Sequence, residues 1–322
     1  MFRHARSAFA RAAIAAAALA FAGPAAALDS MKIMIPANPG GGWDQTGRNL
    51  AQAMQSAGAV KSVQFDNKGG AGGTIGLAQF VNSSKGDGSA MLVGGMVMVG
   101  GIILNKSPVT LAQVTPIARL TGEFEVLVVP ASSKIKTMKD LVAQLKANPG
   151  SVSWGGGSAG GTDHILAGMI AKAVGVEPAK VNYVPFKGGG EAVAAILGGH
   201  VTVGVSGWGE FAEHVKSGKM RAIALSSPNR MPGIDVATLK EQGVDVELFN
   251  WRAVFGAPGL TAQQKAELTA AVEKGVKSPA WQETLKKMDW TGIYMSGDEF
   301  AKYIDAENKR IGEIIAGLGL KK

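Results

Sequence analysis

Residues 155–160, Gly-Gly-Gly-Ser-Ala-Gly, carry two reactive patterns at once. The spacing G-x-S-x-G centred on Ser158, with Asp163 and His164 just beyond, is that of a serine nucleophile on a strand-to-helix turn, and would serve an exported hydrolase. The spacing G-x-G-x-x-G after an apolar run, with Glu177 downstream, is that of a dinucleotide-binding turn. Each needs a context this sequence does not supply. A hydrolase elbow takes its acid and base from distant loops, whereas here glycines continue past the serine. A nicotinamide enzyme would be out of place in an exported chain. Where glycine is this dense, chance matches are cheap, and both readings rank below a binding role.

That role follows from where the 45 glycines cluster. Four runs, at 39–44, 69–74, 155–162 and 187–191, each fall between an apolar strand-like run and a helical pattern. A glycine-rich turn brings backbone N–H groups close to a ligand, and the helix start behind it adds about half a positive charge. Glycine also permits tight turns with no ligand at all. But ligands of open α/β sheets bind at the carboxyl ends of strands, and all four runs lie there. Together they point to one anion cradle.

Other chemistry is sparse. The chain has no cysteine, which removes disulfides, thiolate catalysis and zinc-thiolate sites. Beyond the N-terminus only His164, His200 and His214 remain, in no metal-binding spacing, so neither a metal nor a cofactor is expected. Glu123 and Glu125 alternate along a strand edge and are expected to face water rather than to act as an acid–base couple.

The elements that must position these turns alternate. Strands are expected at 32–36, 62–67, 90–94, 126–130, 152–154, 181–185, 201–205 and 220–225, with helices at 44–57, through Phe80, 138–147, 163–174, 191–197, 210–216 and 261–277, and a long terminal one. Thr137 with Asp140, and Ser296 with Glu299, read as capping boxes. Asp44 reads as an N-cap folded onto its own helix. This is an α/β chain of mainly parallel βα units. No internal repeat divides it.

The first residues read as an address. Arg3, Arg6 and Arg11 precede an uncharged apolar run, Gly23-Pro24 breaks it, and Ala25-Ala26-Ala27 offers a cleavage site: a secretory signal peptide over 1–27. The run is too short to span a bilayer. Cleavage leaves 30 basic against 25 acidic residues, a net charge of +5, scattered with no stripe suited to nucleic acid. The expected product is soluble and periplasmic, not itself embedded in the membrane.

Several segments together resemble a known family. Lys32-Ile33-Met34-Ile35-Pro36 leads into Pro39-Gly40-Gly41-Gly42-Trp43-Asp44-Gln45-Thr46-Gly47-Arg48, and Asn67-Lys68-Gly69-Gly70-Ala71-Gly72-Gly73 follows. With 156–164, 184–188, 197–201 and 218–224, these resemble the substrate-binding receptors of tripartite tricarboxylate transporters, the Bug family. The resemblance covers nearly the whole chain after residue 27. It implies a type II periplasmic binding protein: two α/β lobes, a hinge and a ligand cleft, with lobe 1 at 28–125 plus 251–322 and lobe 2 at 126–250. It implies no enzyme, but a monomeric receptor that hands a citrate-like tricarboxylate or a C4-dicarboxylate to transporter membrane subunits; a sensor for a signalling partner would share the site.

The loops that grip a carboxylate in that family map onto Ala37, Asn38, Pro39, Gly40, Gly41, Gly42, Trp43 and Asp44, and onto Gly156, Gly157, Ser158, Gly160, Gly161, Thr162 and His164. Gly72, Gly73, Met96, Lys187, Gly188, Ser206 and Trp208 complete the candidate set. Trp43, Trp208, Met96 and Met98 would wall the pocket or pack the core. Lys187 and Arg252 would meet a second carboxylate.

Overall fold

The structure is a computed structural model that describes residues 27–187 and 189–320. The signal peptide expected over 1–27 therefore falls almost wholly outside the described residues, as does Gly188.

In chain order, β1 (Leu28–Ile35), α1 (Gly42–Ser56), β2 (Val60–Asn67), α2 (Thr74–Ser83) and β3 (Ala90–Gly95) form parallel βα units, and α3 (Met96–Leu104) leads to a long strand, β4 (Thr115–Pro130). Then come α4 (Met138–Ala147), β5 (Ser153–Gly156), α5 (Thr162–Ala173), β6 (Asn182–Pro185), α6 (Gly189–Leu197), β7 (Val203–Gly207), α7 (Trp208–Lys216) and β8 (Met220–Leu225). The chain returns in β9 (Phe249–Gly256) and ends in α8 (Ala262–Val276), α9 (Pro279–Met288), β10 (Thr291–Ser296) and α10 (Gly297–Gly317).

β4 belongs to two sheets. Its first part, to Phe124, pairs antiparallel with β9 and β10, giving the order β2-β1-β3-β9-β4-β10. From Glu125 onward it pairs antiparallel with β7 and β8, giving β6-β5-β7-β4-β8. Each sheet is thus a parallel set closed by antiparallel strands, with helices on its faces, which is the α/β two-lobed architecture expected. Two strands join the lobes: β4 outward, and the approach to β9 on the way back.

Period-two alternation sorts the core. Val126 and Val128 face a small cluster with Ile196, Phe211 and Leu225, whereas Leu127 and Val129 face the large one, which runs on through Trp154, Ile165 and Ile170. β3 is buried along its whole length, as a strand covered on both faces should be. The lobes touch closely where α3 meets the turn before α5. A Cβ at Gly100 would overlap the carbonyl oxygen of Gly160, so only a bare backbone fits there.

Capping departs from expectation at two helices. Thr137 and Asp140 do form the reciprocal box that starts α4. Ser296 sits at the N-cap of α10 without a side-chain bond. Asp44 is not an N-cap: α1 begins at Gly42 behind Gly41, which puts Asp44 in the first turn. No described helix is long and apolar enough to cross a membrane.

Candidate functional site

β1 and β5 end in the two glycine turns, and their helices start toward a shared cleft. The N-caps of α1 and α5, Gly41 and Gly161, are extended glycines with no side chain to cap with. First-turn N–H groups lack partners within their own helix, so both helix starts present donors and positive potential. The cleft between them encloses about 80 Å³ and is lined by Pro36, Ala37, Gly41, Gly42, Trp43 and Val97 from one lobe and by Gly157, Ser158, Asp163, Phe186, Lys187, Ala192, Ser206 and Glu210 from the other. Asn250 and Arg252, from the strand returning between the lobes, complete it.

Acidic residues hold both turns. The Gly40 N–H donates to Asp44 Oδ2 at 3.1 Å, and Arg48 and Asn67 donate to the same carboxylate at 2.9 and 3.0 Å. Burial pushes that carboxyl up, but these bonds outweigh it and hold the pKa below its ordinary value. Asp44 therefore fixes the turn by engaging the Gly40 amide. In the other lobe the Gly157 N–H donates to Asp163 Oδ2 at 2.6 Å, Tyr183 donates to the Gly157 carbonyl at 2.7 Å, and the Gly160 N–H donates to His164 Nδ1 at 3.1 Å. His164 stacks on Tyr183 at 4.3 Å, and burial pushes its pKa down to about 4. With Nδ1 engaged and its basicity suppressed, His164 is a poor base for Ser158, and the hydrolase reading loses its support.

The floor is the shared face of β4 and β9. Glu123 lies opposite Asn250 in the ladder, and Glu125 and Arg252 lie two residues along on the same side. Contrary to expectation, neither Glu123 nor Glu125 faces water: they are 2% and 0% exposed. The reason is that this face lies under the cleft, between two lobes, and is no sheet edge. Arg252 ion-pairs with Glu123 through Nη2, and the Trp290 indole N–H donates to the other Glu123 oxygen at 3.1 Å. Arg252 Nη1, Asn250 Oδ1 and both oxygens of Glu125 are buried with no hydrogen-bond partner. An added Cβ on Gly42 would overlap the Arg252 guanidinium, so glycine there lets the turn rest on the cation.

Burial raises the acids facing this space. The Asp163 carboxyl is pushed up to about 6 and Glu210 to about 7, with the Asp163 charge adding to the second, while Glu125 goes well above the usual range through burial and its neighbours Asp163 and Glu210. Burial brings Arg252 down to about 9, which leaves it a cation at neutral pH.

Several bonds cross the cleft. The Gly42 N–H donates to Glu210 Oε1 at 2.8 Å, Asn38 Nδ2 to Glu191 Oε1 at 2.6 Å, and Trp208 Nε1 to Asp289 Oδ2 at 3.1 Å. The lobes are therefore closed on one another.

Of the sequence candidates, Ala37, Gly41, Gly42, Trp43, Gly157, Ser158, Lys187 and Ser206 line the cleft. Pro39, Gly40, Asp44, Gly156, Gly160, Gly161, Thr162 and His164 lie in or behind the turns, outside the lining, and Asn38 bridges the lobes at the rim. Gly72 and Gly73 back onto Gly101 and the Trp43 ring. Met96 and Met98 are fully buried core, and Trp208 packs in the smaller core rather than walling the pocket. Sequence reasoning passed over Asn250 and Glu210. Their only signal was position: a polar residue two before Arg252 on a strand, and an acid in the first turn of α7. Among the described residues no cluster suits a metal ion.

The comparisons agree with this architecture. A curated relative from Cupriavidus necator, the UPF0065 protein in the gbd 5′ region, is 31% identical over 296 residues, covering 91% of this chain and 88% of that protein. The solved periplasmic binding protein BugD superposes with a TM-score of 0.82 at 24% identity, covering 91% of this chain and 99% of that one. MatC from Rhodopseudomonas palustris with bound malate, and an R. palustris protein with adipate, superpose with TM-scores of 0.78 and 0.81 at 20% and 21% identity, covering 89% and 90% of this chain and 99% and 97% of theirs. At these identities the structures speak to fold alone. Residues 47–320 match the family described as the tripartite tricarboxylate transporter family receptor, so the chain belongs to that family of periplasmic solute-binding receptors, which are not enzymes.

Proposed function

We propose that this protein captures a small carboxylate in the periplasm and delivers it, as a monomer, to the membrane subunits of a tripartite tricarboxylate transporter. The observation that carries the reading is Arg252 Nη1: a cationic donor, buried and unpartnered, on a residue that lines a cleft between two helices whose N-caps, Gly41 and Gly161, are glycines from opposite lobes. A buried donor left unmade is costly, and a ligand carboxylate would satisfy it. That two structural neighbours hold malate and adipate favours the same ligand chemistry.

The division into lobes at 28–125 plus 251–322 and at 126–250 is supported by the sheet change in β4 and the return through β9. Ligand oxygens bonded from both lobes favour the closed form over the open one by their differential contact energy. Charge-assisted bonds are worth about 1.5–3 kcal/mol each, so a few offset the desolvation of a carboxylate. The closed form then presents a composite surface of both lobes to the permease, after the leader at 1–27 has directed export. No covalent step is needed.

Titration calorimetry of the mature protein against a broad panel of small carboxylates tests the reading. Saturable one-to-one binding that weakens at least tenfold in Arg252→Gln is expected. Silence across the whole panel would overturn it.

A further inference from the structure

Arg252 and Glu123 use less of one another than their chemistry allows. A guanidinium and a carboxylate pair most favourably as two forks, through two parallel N–H bonds. Both partners are buried, at 2% exposure each, where a second bond would be strong. Yet only Nη2 is engaged, by Glu123 Oε1, while Nη1 has no partner.

The second oxygen is held from outside the cleft. Trp290, at the corner between α9 and β10, donates its indole N–H to Glu123 Oε2 at 3.1 Å. Arg252 Cζ lies 5.0 Å from the centroid of the same ring. One buried side chain thus touches both members of the pair, although it takes no part in the cleft lining.

The surroundings hold this arrangement in place. The Trp290 backbone N–H donates to the Leu285 carbonyl at 2.9 Å, and its ring packs on Trp281 with centroids 6.4 Å apart. Asp289 ends α9 in the left-handed region, at φ 53° and ψ 35°, and its carboxylate accepts the Trp208 indole N–H from the opposite lobe at 3.1 Å. A Cβ at Gly207 would overlap the Glu123 carboxylate, so β7 confines that group from the other side.

Resting on the receptor reading above, we propose that Trp290 is a positioning residue: by occupying Glu123 Oε2 and flanking the guanidinium, it keeps the ion pair single-bonded and reserves Arg252 Nη1 for the ligand carboxylate. Without the indole N–H, Oε2 lacks a donor and Nη1 lacks an acceptor, and each satisfies the other. The cation is then fully engaged by its own counter-ion, and the cleft loses its free donor.

Trp290→Phe keeps an aromatic ring and removes the donor. In calorimetry on the mature protein with malate, adipate and citrate, the tightest of the three should weaken by roughly tenfold or more. Rescue separates positioning from packing. Glu123→Gln leaves one acceptor oxygen in place of two, so no fork can form. Trp290→Phe/Glu123→Gln should therefore bind within a few-fold of Glu123→Gln alone, although it carries the same packing defect as Trp290→Phe. A ligand-free crystal structure of Trp290→Phe should show both terminal nitrogens of Arg252 bonded to Glu123. Should Trp290→Phe not fold, benzothienylalanine placed at position 290 keeps the shape of the indole and replaces its N–H by sulfur. A pair still single-bonded in the variant, parental affinity in Trp290→Phe, or a double variant no tighter than Trp290→Phe each overturn this inference and leave the receptor reading standing. Silence from the parent across a broad carboxylate panel overturns the receptor reading and, with it, the role assigned to Trp290.

Discussion

Gly100→Ala should separate closure from folding. In the closed form the new methyl would overlap the Gly160 carbonyl oxygen, come within 3.1 Å of its carbon and lie 3.5 Å from Ile165 Cδ1. Both clashing partners belong to the other lobe, and a backbone carbonyl cannot swing aside as a side-chain tip can. Overpacking a fixed contact costs about 1–3 kcal/mol. Charged to the closed form alone, that lowers its population roughly 5- to 150-fold, and lowers by the same factor the affinity of a ligand held only there. The fold itself should not suffer once the lobes part. Gly100 lies within α3, where alanine is favoured over glycine by about 1 kcal/mol, so the ligand-free melting temperature should hold or rise by about 2–4 °C. Calorimetry with the tightest carboxylate and a thermal melt of the free protein read the two effects separately. Undiminished affinity would refute the idea that ligand binding needs this approach. A melting temperature that falls with affinity would show that the contact is part of the static core.

Further tests follow from the floor and the turns. Arg252→Gln leaves the Glu123 charge buried with only Trp290, so it should cost about 3–5 kcal/mol of stability, and Glu123→Gln/Arg252→Gln should recover most of it while ligand affinity stays lost; denaturant melts and calorimetry check both. Ser158→Ala should bind ligand within a few-fold of the parent, and a fluorophosphonate should label neither protein; labelling of Ser158 would revive the hydrolase. Glu210 has a folded pKa raised from 4.5 to about 7, so between those values the native state holds the extra proton and stability falls as pH rises through the window. The margin of Glu210→Gln over the parent in melting temperature should therefore grow from pH 5 to 7 and level off above it. His164 acts oppositely below pH 6.5 but cancels in the difference.

How much of this could be read without coordinates differs between the walls and the floor. The walls are local: a strand, a glycine run and a helix start adjoin in sequence, so Gly41, Gly42, Gly157 and Ser158 were found from their neighbours alone. The floor is not. Glu123 and Arg252 are 129 positions apart and meet only because β4 and β9 pair. Charged residues alternating along a strand look solvated when nothing in the sequence says that both faces are covered, which is how Glu123 and Glu125 were misplaced. For Met96 and Trp208 the sequence leaves wall and core both open, because apolar side chains beside a site look the same whether they wall it or support it. The N-cap of α1 lies three residues before Asp44, because glycine at position 41 starts the helix with no side chain to announce it.

The strand that changes sheets at Phe124 and Glu125 has a consequence for how the molecule comes apart. Its two ends are rungs of different ladders, so the two sheets share a covalent strand but no hydrogen-bonded rung, and melting one frees an end of β4 while the pairing of the other stays whole. Lobe 2 is inserted between two strands that pair with each other, so lobe 1 is discontinuous in sequence, whereas lobe 2 is one contiguous piece that holds all the strands of its sheet. Residues 126–250 expressed alone should therefore keep a paired sheet, whereas lobe 1 needs both of its flanking segments to close its own.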